Sequence, residues 1–195
     1  DLGLQLLDTC YLGTRQMNLR EKMDVQTPAD LEGVKLRMPS SDAWLFLGEA
    51  LGASPTPLPF SDVYLALQTG TIDAQDNPLP TVEAAKFYEV TEQITLTGHL
   101  VDFINLTVNN QTWEKLNDDE KAAMQAAAKE ACDYNNAERV ANEDRLVKFF
   151  EDEGLTVTTP DVDAFRTHVQ EFYLNSDRAS EWPEGWLEEI NKLGS

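Results

Sequence analysis

Apolar positions in the first half of this chain fall into short runs divided by turn residues, and each run implies one element. From Leu2 to Tyr11, Leu, Cys and Tyr alternate loosely before Gly13 interrupts, which predicts a strand followed by a loop carrying Thr14 and Arg15. Arg15 is therefore expected at a strand end. Thr27, Pro28 and Asp30 open a short turn or helical segment, Gly33 breaks it, and Val34 to Met38 reads as an apolar strand that Pro39 ends. Ser41 suits the cap of a helix from Asp42 to Leu51 with Gly52 as its stop, and Ser61 the cap of another from Asp62 to Thr69 ending at Gly70. Ile72 to Gln75 predicts a further strand. Asn77 and Pro78 then open a helix through Phe87, where the missing proline donor does no harm in a first turn. Gln93 to Thr97 and Leu100 to Val108 are expected to be extended.

Alternating short strands and helices of this kind imply an α/β layer architecture, with ligand chemistry gathered at the carboxyl ends of strands. The pattern changes after Asn117. Up to Gly154 there is neither Pro nor Gly, and Ala, Glu, Lys and Gln dominate, so one long helix is predicted. Leu155 to Thr158 is a short strand, Pro160 restarts a helix through about Leu174, and Pro183 precedes a final amphipathic helix with Trp186, Leu187 and Ile190.

At 195 residues the chain is long enough for one ordinary domain or two small lobes without metals or disulfides as staples. A formal net charge of -20 with only 15 Lys and Arg excludes the basic footprint of a nucleic-acid binder. It also means that any anion must be held by particular cations rather than by the average field. Arg15, Arg20 and Arg37 cluster early. Arg37 lies near the end of a strand that reads as buried, so its guanidinium must either reach a buried acid or face a cavity, where its planar fork suits a carboxylate. Arg15 admits the same two readings.

Phe60 reads as core, or as a pocket wall against the apolar part of a ligand; Asn77 as a turn residue, or as an amide donor to a bound acid. Ser40 and Trp44 read as helix entry and partial burial. His99 and His168 lack metal-ligand spacing and read as structural, and no cofactor or metal is expected. Asp73 and Asp76 can be cast as an acid and a base, but among 35 acidic residues they carry little weight, so an enzyme is the lesser alternative. Cys10 and Cys132 show no redox or zinc spacing and read as two small buried hydrophobes or one pair. The chain starts at Asp1 without a Met, as a mature or trimmed form would.

GTRQ at Gly13 to Gln16, DLEGVKLRMP at Asp30 to Pro39, LGASPTPLPFSDVYLALQTGTIDAQDNPL at Leu51 to Leu79, and KFYEV with LTGH between Lys86 and His99 together resemble the periplasmic substrate-binding proteins of TRAP transporters, the DctP family. That resemblance implies a non-enzymatic periplasmic receptor that binds a small organic acid and delivers it to TRAP membrane subunits. A ligand-sensing module of the same fold is the alternative. It also implies an α/β, periplasmic-binding-protein-like fold of two lobes with a long connecting helix. Residues 12–101 and 143–195 would form the second lobe, and residues 1–11 and 102–142 part of an incomplete first lobe. By the same resemblance Arg37 is the principal carboxylate partner, Arg15 a second cationic contact, Asn77 an orienting amide and Phe60 a pocket aromatic. Ser40 stands where sialic-acid binders carry asparagine. The sequence begins well inside the family's first lobe, so exposed edges and apolar faces are expected to favour self-association.

Overall fold

The computed structural model describes residues 2–193 apart from 182 and 184. Its first half runs β1 (Leu4–Leu19), a 3-10 turn (Pro28–Leu31), β2 (Lys35–Met38), α1 (Asp42–Ala50), β3 (Ser54–Pro57), α2 (Val63–Thr69), β4 (Ala74–Pro78) and α3 (Leu79–Ala84). β5 (Gln93–Asn109), α4 (Asn110–Trp113), α5 (Asp118–Asp152), β6 (Thr156–Thr158), α6 (Val162–Leu174) and α7 (Trp186–Leu193) follow. Six strands form one mixed sheet in the order β3-β2-β4-β1-β5-β6. β2 runs parallel to β3 and β4, β1 antiparallel to β4 and β5, and β6 parallel to β5.

Apolar side chains cover both faces of this sheet, as a largely parallel arrangement requires. On one side Val63, Leu67, Leu79, Val82 and Phe87 pack with Leu146 and Phe150 from the end of α5. On the other, Met17, Leu19, Leu36, Met38 and Leu51 pack with Phe165 of α6. The layers are therefore helix, sheet, helix.

Several expected boundaries move, each for a physical reason. Arg15 is not at a strand end: β1 continues for 16 residues through Gly13. Gly98 likewise does not divide Gln93–Thr97 from Leu100–Val108, which form a single strand of 17 residues. The pairing of the two strands absorbs these glycines as register shifts, Gly13 at Tyr11/Gly13 and Gly98 opposite Arg15/Met17. Asn77 and Pro78 do not open a helix either; both belong to β4, whose five residues are all buried, and Pro78 only caps α3. The long helix is as expected, 35 residues started by an Asn117–Glu120 capping box, and spans roughly 50 Å at 1.5 Å per residue. Cys10 and Cys132 are joined as a disulfide tying β1 to α5.

Beyond the sheet, the first half of β1 and the second half of β5 leave as a two-stranded ribbon alongside α5. Leu4, Leu6, Val101, Phe103 and Ile104 are exposed on it. Side chains of α5 fasten the point of departure. Asn136 accepts from the Tyr11 amide at 2.7 Å, Arg139 donates to the Leu12 carbonyl at 2.9 Å, and Glu143 accepts from the Thr14 amide at 3.0 Å and the Tyr11 hydroxyl at 2.7 Å. Gly13 stands here at φ +136, and a Cβ on it would lie 2.5 Å from the Pro78 Cβ. Both the left-handed region and the approach of β4 demand glycine. Gly13→Ala is therefore expected to destabilise the fold by roughly 2–3 kcal/mol, measured by urea unfolding; a loss below a few tenths of that would show that the bulge relaxes freely.

Candidate functional site

Three parallel strands, β2, β3 and β4, end side by side, and the segments at their carboxyl ends carry Arg37, Ser40, Phe60 and Asn77. Such an edge is where open α/β sheets bind ligands. β1 brings Arg15 to the same place from the antiparallel side, directly opposite Pro78 of β4 and Leu100 of β5. The five predicted residues thus lie on neighbouring strands or in the segments that follow them.

Arg15 is 4% exposed and held by two carboxylates. Its Nε donates to Asp76 Oδ2 at 2.7 Å, its Nη2 to Asp76 Oδ1 at 3.2 Å and to the Asp76 carbonyl at 2.5 Å, and its Nη1 to Asp102 Oδ2 at 2.8 Å. Trp44 of α1 covers the guanidinium with its ring centre 4.5 Å away. Burial alone would weaken the charge, but Asp76 and then Asp102 outweigh it and hold the Arg15 pKa above its ordinary value. Asp76, wholly buried, is bound also by His99, whose Nε2 lies 3.1 Å from Asp76 Oδ2 while its Nδ1 lies 2.6 Å from the Thr97 hydroxyl. Those partners fit the tautomer that donates from Nε2 to Asp76 and accepts from Thr97 at Nδ1. Burial pushes the Asp76 carboxyl up, yet His99 and Arg15 together hold it down, at about 2.

Arg37 is equally buried, at 4%, but differently satisfied. Its Nε donates to the Leu58 carbonyl at 2.9 Å, and among the described residues no carboxylate lies within ion-pair distance of its guanidinium. Its pKa is lowered, first by burial, with the Asp76 charge opposing and Arg15 adding to the shift. Phe60 stands beside it, ring centre 5.9 Å from the guanidinium carbon, seated edge-on against Phe87 and 48% exposed. It is half exposed rather than part of the core. Asn77 is buried, and its amide donates to Gln75 Oε1 at 2.6 Å; Gln75 in turn donates to Asn18 at 3.1 Å. Ser40 is exposed just beyond β2.

Asp76, His99, Asp102 and Trp44 complete the cluster without having been picked out as site residues. A usable signal for Asp76 lay in its surroundings, since Gln75, Asp76 and Asn77 are three adjacent polar residues inside a strand, and a buried polar run needs partners. No comparable signal marked Asp102.

The ion pair has a consequence for stability. Because the folded-state pKa of Asp76 lies below its ordinary 3.8, its contribution is complete above that value and is lost as pH falls toward about 2. Asp76→Asn, which leaves Arg15 buried with Asp102 alone, is expected to lower unfolding stability near pH 7 by roughly 3 kcal/mol. In urea titrations the gap to the unmodified protein should narrow between pH 4 and 3; a constant gap would mean that the Asp76 charge is not what stabilises.

Known proteins share this architecture. The family described as bacterial extracellular solute-binding protein, family 7 (DctP), matches residues 1–178. The chain is 40% identical over 171 residues to the sialic acid-binding periplasmic protein SiaP of Vibrio cholerae, covering 88% of this chain and 53% of that protein. It is 32% identical to the 2,3-diketo-L-gulonate-binding periplasmic protein YiaO of Escherichia coli, covering 80% of this chain and 48% of that protein. A crystal structure of a TRAP periplasmic solute-binding protein from Roseobacter denitrificans, with bound 3-deoxy-D-manno-oct-2-ulosonic acid, superposes with a TM-score of 0.95 at 52% identity, over 99% of this chain and 64% of that one. The chain thus spans about half the length of the curated relatives it matches. Sequence match and superposition agree, and the chain belongs to the DctP family of bacterial extracellular solute-binding proteins.

Proposed function

We propose that this chain is the larger part of an extracytoplasmic receptor, not an enzyme, that captures a small organic acid in the periplasm and hands it to the membrane subunits of a TRAP transporter. The observation that carries the reading is Arg37: a buried guanidinium with one internal hydrogen bond and no acid partner among the described residues. A buried cation left in that condition is costly unless an anion joins it. The lowered pKa expresses the same deficit, and a ligand carboxylate taking the fork through two parallel bonds would remove it. Phe60 would pack on the carbon skeleton, and Ser40 would meet a hydroxyl at the rim. Asn77, tied to Gln75, would orient the site through its remaining carbonyl oxygen.

Relatives support the ligand class. The Roseobacter structure of 52% identity holds 3-deoxy-D-manno-oct-2-ulosonic acid, and a second from Roseobacter denitrificans OCh 114, 30% identical with a TM-score of 0.84, holds L-galactonate. Both ligands are polyhydroxy acids. The Cys10–Cys132 disulfide supports an oxidising compartment such as the periplasm.

In this reading residues 12–101 and 143–195 form one lobe, and residues 1–11 with 102–142 belong to the other. The division falls at the Gly13 bulge and at Glu143, where the ribbon leaves the sheet. Closure about that point would bring the second wall onto an acid held by Arg37.

Two measurements test the proposal. In calorimetry of the full-length receptor with 3-deoxy-D-manno-oct-2-ulosonate, Arg37→Lys is expected to weaken binding by roughly ten- to a hundredfold, because it keeps the charge and loses the fork. Unchanged affinity would sink the role given to Arg37. Second, the 195-residue chain prepared alone is expected to self-associate through Leu4, Leu6, Val101, Phe103 and Ile104, or to bind acids weakly. Light scattering that shows a compact monomer with full affinity would refute this.

A further inference from the structure

The two arginines of the site differ in what already neutralises them, and Asp102 makes the difference. Every hydrogen bond of the Arg15 guanidinium goes to Asp76 or Asp102, and Asp76 by itself accounts for Nε and Nη2. Nη1, the remaining terminal nitrogen, is occupied by Asp102 Oδ2 at 2.8 Å. Asp102 also accepts from the Phe103 amide at 2.9 Å through Oδ1, so it is fixed at both oxygens. Its side chain is 17% exposed, against 4% for Arg15 and none for Asp76, and it is thus the member of the network that meets solvent.

The formal charges follow from this geometry. Arg15 and Arg37 are positive, Asp76 and Asp102 negative, and both negative groups touch Arg15. Resting on the receptor reading above, we propose that Asp102 sets the charge of the acid this wall accepts: Asp76 already neutralises Arg15, and Asp102 adds a negative charge beside that pair, which leaves Arg37 as the one cation open to an anion and so favours monoanionic polyhydroxy acids over dianions. A second carboxylate on the ligand, reaching toward Arg15, would meet the like charge of Asp102 at Nη1. A ligand hydroxyl in the same place is a donor, and the spare lone pairs of Asp102 can accept it. The residue thus repels the wrong ligand and attracts the right one.

The test uses the full-length receptor and two matched sets of acids: 3-deoxy-D-manno-oct-2-ulosonate, L-galactonate and D-glucuronate as monoanions, galactarate and D-glucarate as dianions. Titration calorimetry on the unmodified protein is expected to show tighter binding of the monoanions. Asp102→Asn keeps the shape and the acceptor for Arg15 but removes the charge, and should move the monoanion-to-dianion affinity ratio about tenfold toward the dianions. Asp102→Glu, which restores the charge, should return the ratio toward that of the unmodified protein, and melting curves establish that both variants fold. A ratio within twofold of the original in Asp102→Asn, or a preference of the unmodified protein for the dianions, overturns the inference while leaving the receptor reading intact. Binding of none of these acids overturns the receptor reading, and the inference with it.

Discussion

A guanidinium buried to the extent of Arg15 is costly without a counter-charge, because the loss of hydration exceeds what neutral hydrogen bonds return. Asp76 supplies that charge from the adjacent strand, and the pair fixes how β1 and β4 lie against each other. The rest of the site is arranged from that contact. His99 reaches Asp76 from β5, Asp102 reaches Arg15 from farther along the same strand, and Trp44 lies over the guanidinium from α1. Three strands and a helix are therefore registered by one ionised pair. Gly13 is the backbone's contribution, since only a residue without a Cβ lets β1 pass Pro78 closely enough.

With Arg15 held in this way, the division of labour between the two arginines becomes a matter of satisfaction rather than position. Both are 4% exposed and both lie within a few residues of a strand end or bulge. One is held by two carboxylates, the other by a single carbonyl oxygen. The group with the single partner is the one to which the proposed reading gives the ligand, and it lies beside the exposed aromatic. Asp76 acts on both cations and so offsets part of their mutual repulsion.

Much of this was legible from residues and spacing, and what was not had physical reasons. The α5 helix could be read because a long stretch without Gly or Pro, begun by Asn with Glu three residues on, has few alternatives. The strand end bearing Arg37 was legible from Pro39, which stops β2. Glycine misled twice, at Gly13 and Gly98, since a local break signal cannot reveal that a partner strand will absorb it as a bulge. Asn77 before Pro78 reads locally as a turn, and only the tertiary burial of β4 makes it a strand. Asp76 and Asp102 were hidden by number: where 35 residues are acidic, the two that matter are distinguished by burial and by the far strand they face. The Cys10–Cys132 bond joins residues 122 positions apart, a separation that carries no local signature.

The overall charge of the chain bears on how such a site can respond to its ligand. At a formal -20 the molecule repels acids at long range, so in the proposed reading capture would depend on the short-range contact with Arg37 in a low-dielectric setting where that contact is strong. Contact with this wall alone, however, stabilises open and closed forms equally and shifts nothing between them. Closure needs interactions that exist only when a second wall meets the ligand. On a polyhydroxy acid those interactions fall to the hydroxyls, because its one charge is already used at Arg37. The carboxylate would then determine whether a molecule is held, and its hydroxyls whether the receptor closes on it.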